Sequence, residues 1–587
     1  MLNAVNLYDK TCRGIINNQS RNHERAKTRN YYMKINERMM FVCFLFRSFV
    51  LSCFRDFNLQ FPICNFQFAI IILCMCAMSA SAADQIPMDQ MVTLPVKSDP
   101  TVCFRLWFKV GSQNDPPGKE GLAALTAAML TEASTKSNSY EDILDRLFPI
   151  AGSYAASASV EETVIFGRIH KDNLDQYYQL LMQAVMEPAF KQDDLDRLKS
   201  DAINYLENTL RYSSDEELGK AVLYNTIFRG TPYGHLPIGQ IDSLRSITVE
   251  DVQNFHRKYY TRDNVIIGMG GGYDQRLLEK ISTDLAALPA GKPQGEKGIG
   301  PIYRNGPEGA AHKLDLSPFP TPPSPPKING LQIKIVEKDC SATAISMGFP
   351  IDVLRGEKDW YALAVANSWL GEHRSPSSHL YNVLREIRGL NYGDYSYIEH
   401  FPNGGALQMP PQNVARRRQI FEIWIRPVPN AARQFALRGT MREFVHVVND
   451  GLTQSEFDLT RNFLHNYVLH YAPTTMDRLA YALDDKFYNI PGSHLELYRK
   501  MLEQVTLPEV NAAIKKYWQY KNMQIVIVTR DAKSLKEALV TNSPSPYTYP
   551  TPKPESVLEE DKIISTLRLT IKPENVTIVP VSDLFVK

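Results

Sequence analysis

Few side chains that could do chemistry stand at the spacing chemistry needs. "LREIRGLNY" places Arg385 and Tyr392 seven residues apart. A guanidinium and a phenol are both hydrogen-bond donors, but a spacing of seven by itself assigns them no chemistry. The same two residues could equally be a surface ion-pair partner and a core aromatic. The other candidates are weaker. His465 and His470 are five apart, which does not put them on one helix face. Glu372-His373 ends like a metal-binding motif, but Trp369 stands where its first histidine would be. "GMGGGYD" (268–274) fails the phosphate-binding pattern G-x-G-x-x-G, because Tyr273 takes the third glycine position. A strand-ending turn is its simpler reading. No G-x-S-x-G nucleophile elbow occurs.

The elements that must position such residues come from one unit used twice. "ITVEDVQNFHRKYYTRDNVIIGMG" (247–270) matches "VTLPEVNAAIKKYWQYKNMQIVIV" (505–528) at one constant offset. Thr248 falls on Thr506, Val252 on Val510, Tyr259 on Tyr517 and Asn264 on Asn522. Upstream, "KQDDLDRLKSDAINYL" (191–206) parallels "TQSEFDLTRNFLHNYV" (453–468), each with a polar cap before a helical pattern. Each half opens on a β-rich run, "TVCFRLWFKVGS" and "ATAISMGFP". Long helices follow, and each half closes on another strand. Strands and helices segregated in blocks predict an α+β fold rather than a doubly wound sheet. Between the halves, residues 291–330 are dense in proline and glycine and read as a linker. A second proline tract, "SPSPYTYPTPKPE", opens a C-terminal tail (543–587) whose later part alternates like a strand and is expected to dock on the body or on a partner.

The chain has 587 residues, a net charge of +1 and 22% charged residues. That balance gives no reason to expect nucleic acid. Residues 1–82 differ from the rest and hold six of the eight cysteines. The apolar run from Phe66 to Met78 is shorter than the about 20 residues a membrane span needs. It ends in Ala80-Ser81-Ala82, a small-residue cleavage pattern. It reads as a signal peptide cut near Ala82–Ala83, giving a secreted or periplasmic protein with no stable membrane span. An uncut anchor is the alternative. The polar stretch 1–40 is long for a signal peptide's opening region, which a start at Met33, Met39 or Met40 would explain. After cleavage only Cys103 and Cys340 remain, each in a strand-like segment, and they are expected to be two buried thiols rather than a disulfide.

"WFKVGSQNDPPGKEGLA", "TPYGHLPIGQIDSLRSITVEDVQNFHRKYYTRDNVIIGMGG" and "ANSWLGEHRSPSSHLYNVLREIRGLNYGDYS" together resemble the insulinase-like, or pitrilysin, family of zinc peptidases. The resemblance spans nearly all of the chain after residue 82. It implies two homologous α+β domains (83–290 and 331–542), each an antiparallel sheet packed on helices, enclosing a peptide-binding chamber. Active members carry H-x-x-E-H on the helix after the first of these segments. Its two histidines lie on one helix face and grip zinc, and its glutamate is the general base. The flanking residues put the first histidine at Ala124, the base at Ala127 and the second histidine at Ala128. The third ligand falls at Asn204, with Glu207 one turn further on. Alanine offers a metal nothing, so no metal is expected in this chain.

The second half, by contrast, keeps Arg385 and Tyr392, which match positions that bind the substrate backbone and the oxyanion in active members. Some bacterial members work as pairs of short chains, one carrying zinc and the other this Arg–Tyr pair. By that resemblance the chain is a non-catalytic subunit. Its cofactor, zinc, sits in a homologous partner, and its ligand is a peptide substrate. Two other readings stay open. One is a peptide-hydrolysing zinc metalloendopeptidase in its own right, and the other a peptide-binding scaffold without an active partner.

Overall fold

A computed structural model of the protein describes residues 85–291, 322–401, 412 and 414–587. The apolar run, its cleavage pattern and most of the Pro/Gly-rich linker lie outside the described residues. No described helix is long and apolar enough to cross a membrane.

The first half builds a sheet from β1 (Met91–Pro95), β2 (Thr101–Phe108), β3 (Ser153–Ala158), β4 (Thr163–His170) and β5 (Val265–Gly271), in the order β1-β5-β2-β4-β3. Its helices include α1 (Leu122–Thr131), α2 (Gln192–Asn204), α3 (Asp215–Ile227) and α4 (Val249–Tyr259). The second half builds β6 (Leu331–Glu337), β7 (Ala342–Ile351), β8 (Asp394–Tyr397), β9 (Gln419–Pro429), β10 (Met523–Thr529) and β11 (Val576–Pro580), ordered β11-β6-β10-β7-β9-β8. Its helices include α5 (Lys358–Gly371), α6 (Gln454–Tyr467), α7 (Thr475–Tyr488), α8 (Leu507–Tyr517) and α9 (Glu555–Thr566). The α+β architecture with two like halves is as expected. The sheets are mixed rather than purely antiparallel, since β1 runs parallel to β5, β6 to β10, and β11 to β6.

The repeat seen in the sequence is a repeat of structure. α4 and α8 start on the paired Thr248 and Thr506, and β5 and β10 follow at the same interval. Both threonines close capping boxes, in which the backbone N–H of Thr248 donates to Asp251 (2.9 Å) and that of Thr506 to Glu509 (2.9 Å). Each box satisfies donors a helix start would leave bare. The upstream pair is less alike. Thr453 caps α6 with its side chain, while Lys191 before α2 makes no side-chain cap.

The halves clasp one another through an exchange. α3 of the first half packs on β7, β9 and β10 of the second, and α7 of the second packs on β1, β2 and β5 of the first. Leu483 and Phe487 of α7 close over Trp107, Val164 and Ile266. Central strands therefore have both faces covered, and β5 and β10 are buried along their whole length.

The tail differs from the expectation of an alternating strand. Residues 555–566 form helix α9, and only 576–580 pair as a strand, on the outer edge of β6. The chain then crosses to the first half, where the carbonyls of Phe585 and Val586 accept from the N–H groups of Ile241 (2.9 Å) and Asp242 (3.1 Å). Leu584 and Phe585 enter the first half's core. Cys103 and Cys340 are free, buried thiols. Cys103 lies in β2, but Cys340 sits in the turn between β6 and β7 rather than in a strand.

Candidate functional site

Helix α1 is held at its start by one buried carboxylate. Asp115 accepts from the backbone N–H groups of Gly121 and Ala123, both at 2.7 Å, and lies 3.1 Å from Nε2 of His235. Gly121 takes φ +106°, as does Gly239 beside it, where a Cβ would stand 2.4 Å from the carbonyl oxygen of Glu120. Glycine is required at that crossing. The helix is apolar nearly all round, and every residue except Ala124 and Ala128 is buried. Ala124 faces a cavity of about 510 Å³, Ala128 is half-buried, and Ala127 is enclosed, at 2% exposure.

The third position does not help a metal either. Asn204 is exposed and accepts from the side-chain amide of Asn208 (2.7 Å). A π-helical segment, Tyr205–Leu210, follows it directly, and Tyr205 and Leu210 reach the cavity wall. Glu207 is ion-paired to Arg245 (3.3 Å). The donor set at these positions does not fit zinc, which needs three protein ligands in a catalytic site. Among the described residues no cluster of three or more His, Cys, Asp or Glu side chains is placed to hold a metal.

Both halves line the cavity. The first half supplies Ala124, the strand and turn 156–160, Lys220 and Tyr224, and the second supplies His400, Phe401, Arg416 and Glu422. The turn after β3 ties the halves together. Glu161 accepts from the backbone N–H and from Nε of Arg417, both at 2.7 Å, and from the Tyr233 hydroxyl. Glu162 accepts from the indole of Trp107 and from the N–H of Ala415 (3.3 Å). Lys220 is matched by Glu216 (3.1 Å) and Glu217 (2.8 Å) and lies over the ring of Trp424 (3.4 Å). Burial pushes the Glu422 carboxyl up to about 7 and the His400 imidazole well below its ordinary value.

Arg385 and Tyr392 are brought together, and neither lines that cavity. Arg385 stands on the π-helical segment Tyr381–Ile387. Its guanidinium lies 4.5 Å from the centre of the Tyr381 ring and 5.9 Å from that of Tyr392, and it pairs with Glu386 at 3.5 Å. Tyr392 is 77% exposed. Tyr381 belongs to a buried aromatic cluster with Tyr395, Tyr397, Phe401 and Trp424, and Phe401 also lines the cavity. The tail supports this segment from behind. Arg388, fully buried, donates to Asp561 (2.9 Å) and Glu560 (2.5 Å) of α9, and Lys553 donates to the carbonyl of Ile387 (2.7 Å).

Of the other candidates, His373 is buried against Tyr395 and Phe401, and burial drives it down to about 3. Glu372, pushed up to about 7 by burial, accepts from Ser368 (2.5 Å). Both line a small separate cavity with Trp360, Ser368 and Tyr471, and nothing else there could hold a metal with them among the described residues. Residues 268–271 lie in β5, the strand that the glycine run ends. The residues that sequence reasoning missed are Lys220 and Tyr224, one turn apart on α3, Arg416, just before β9, and Glu422, in β9; no local pattern links the helix to the strand.

A family model described as insulinase (peptidase family M16) matches residues 91–238, and one described as peptidase M16 inactive domain matches residues 246–464. The chain is 24% identical over 416 residues to an uncharacterized zinc protease of Mycobacterium tuberculosis, covering 70% of this chain and 84% of that protein. It is 22% identical over 440 residues to a Helicobacter pylori protein named as a non-peptidase homolog, covering 73% of this chain and 89% of that one. Among solved structures, a peptidase M16 inactive domain from Pseudomonas fluorescens matches with a TM-score of 0.61 at 23% identity, over 75% of this chain and 95% of that one. A protease from Helicobacter pylori matches with a TM-score of 0.59 at 20% identity, over 75% and 96%. At these identities the structural matches establish the fold.

Proposed function

Because the chain belongs to the insulinase (M16) family of peptidases, we propose that it is a non-catalytic subunit that lends Arg385 and Tyr392 to a zinc-bearing homologous partner. One observation carries this reading. The helix that holds zinc in active members keeps its frame here with alanine at all three functional positions, while Arg385 and Tyr392 stay together with Tyr392 open to solvent. The cavity between the halves takes one stretch of the peptide, and Arg385 and Tyr392, which do not line it, meet the stretch presented to the partner. The Arg385 guanidinium and the Tyr392 hydroxyl donate hydrogen bonds to the peptide carbonyl oxygen as it gains negative charge. The export reading, secreted or periplasmic, belongs to the same proposal.

The test is to mix the chain with a homologue carrying H-x-x-E-H and to follow peptide cleavage. The mixture cleaves and neither chain alone does so at a comparable rate. Tyr392→Phe keeps the ring and removes one donor, so turnover of the mixture drops by about 100- to 1000-fold, or about 2.7–4 kcal/mol, while assembly by size-exclusion chromatography is unchanged. Arg385→Ala does the same and weakens peptide binding. If both variants assemble and cleave at the unmodified rate, the pair is structural and the chain is a peptide-binding scaffold.

A further inference from the structure

Arg416 is buried to 2% exposure, yet it is one of the residues lining the cavity. Its backbone is fixed by Tyr488, whose hydroxyl accepts from the Arg416 N–H (3.2 Å) and donates to its carbonyl (3.4 Å). The guanidinium lies over the rings of Tyr224 (4.8 Å) and Tyr233 (5.5 Å). Its Nε and Nη1 have no hydrogen-bond partner among the described residues. The acidic groups around it are engaged elsewhere, except for one oxygen of Glu422, which has no hydrogen-bond partner among the described residues. Glu161 is taken by Arg417 and Tyr233, and Glu162 by Trp107 and Ala415. Glu216 and Glu217 are taken by Lys220. Glu422 accepts from the indole of Trp424 (2.9 Å), and its other oxygen is 3.6 Å from Nδ1 of His400.

An arginine cannot shed its proton, so it stays charged. A buried charge with donors unsatisfied is costly unless something pairs with it. The opposite wall is small and apolar, with Ala124, Ala221, Leu236 and Ile238.

We propose that the cavity holds a ligand carboxylate on Arg416, so that the chain selects acidic peptides. The carboxylate is an Asp or Glu side chain or the peptide's own C-terminus. It takes the guanidinium fork while neighbouring apolar residues lie along the alanine-lined wall. This rests on the reading of the cavity as a peptide chamber.

The experiment measures binding of fluorescein-labelled peptides to the chain by anisotropy. The peptides share one apolar sequence and differ only in a central Glu or Gln and in a free or amidated C-terminus. The peptide with Gln and an amide binds roughly 10- to 100-fold more weakly than its acidic counterparts. Whichever single change carries the loss identifies the side chain or the terminus as the group held. Arg416→Met abolishes the preference, and Arg416→Lys, which keeps the charge but loses the fork, retains part of it. If all peptides bind alike, the Arg416 proposal fails and the peptide chamber stands. If none binds, both fail. A preference that survives in Arg416→Met also overturns the proposal. Where Arg416→Met does not fold, the peptide comparison on the unmodified chain and on Arg416→Lys decides.

Discussion

Ala127 separates two ways of losing a metal site. Ala124 and Ala128 are half-buried, and Ala124 meets the cavity, so larger side chains have room to turn outward there. Ala127 is enclosed by the core. A glutamate at 127 would bring a carboxylate into that core without a partner, which costs about 3 kcal/mol or more. The triple substitution Ala124→His, Ala127→Glu, Ala128→His is therefore expected to lower the melting temperature and to leave the chain without peptidase activity, since Asn204 still supplies no third ligand. Elemental analysis, melting curves and a peptide assay check this; chelator-sensitive cleavage by the triple variant would show the frame still competent. Part of the site was legible at this scale. Positions 124, 127 and 128 and the pair 385 and 392 follow from motifs. Arg416, Tyr224 and Glu422 do not, because their meeting depends on how the halves dock and no local pattern encodes it.

Asp115 governs an element. It sits in "GSQNDPPGKEG", the entry to the helix that the resemblance marked, and it holds the first turn of α1 through two backbone N–H groups, a role the sequence reading did not assign to it. Asp115→Ala leaves those donors bare and strands His235, so a loss of about 2 kcal/mol is expected from the cap alone. Urea unfolding measures it, and Asp115→Asn, which still accepts one hydrogen bond, should lose less. The elements that repeat were readable because their caps are local. Thr248 and Thr506 announce α4 and α8 within four residues each. Helix α9 was not readable as a helix. Its residues "ESVLEEDKIIST" follow a proline tract, and what orders them is contact with Arg388 and Arg438, far away in sequence. The π-helical segments at 205–210 and 381–387 leave no signature in composition.

The whole molecule carries a pH signature. Burial raises the carboxyls of Glu372, Glu422 and Asp485 to about 7 and that of Asp394 to about 8. Burial also lowers the histidines, His256 to about 4 and His373 to about 3. A carboxyl with a raised folded value holds a proton that the unfolded chain has lost, so stability falls as pH rises through that value. The lowered histidines act oppositely, but only below their unfolded value of about 6.5, above which they are neutral in both states. Stability is therefore expected to decline from about pH 6.5 to 8, by up to about 1.4 kcal/mol per pH unit for each such carboxyl. Urea midpoints across that range test this. Asp394→Asn should flatten the slope, and an unchanged slope would assign the decline to other groups.

Among the described residues the outer edge of β6 is covered only by β11. An uncovered edge strand with the sequence "LQIKIVE" is a template for pairing with another chain. A chain shortened to end before 543 is expected to scatter light and pellet where the unshortened chain stays clear. The same geometry sets a delay during biosynthesis. Translation must pass from Glu337 to Val576 before the covering strand exists, on the order of 10–50 s at 5–20 residues per second. For that interval the nascent second half has an open edge, and whatever holds nascent chains soluble must shield it.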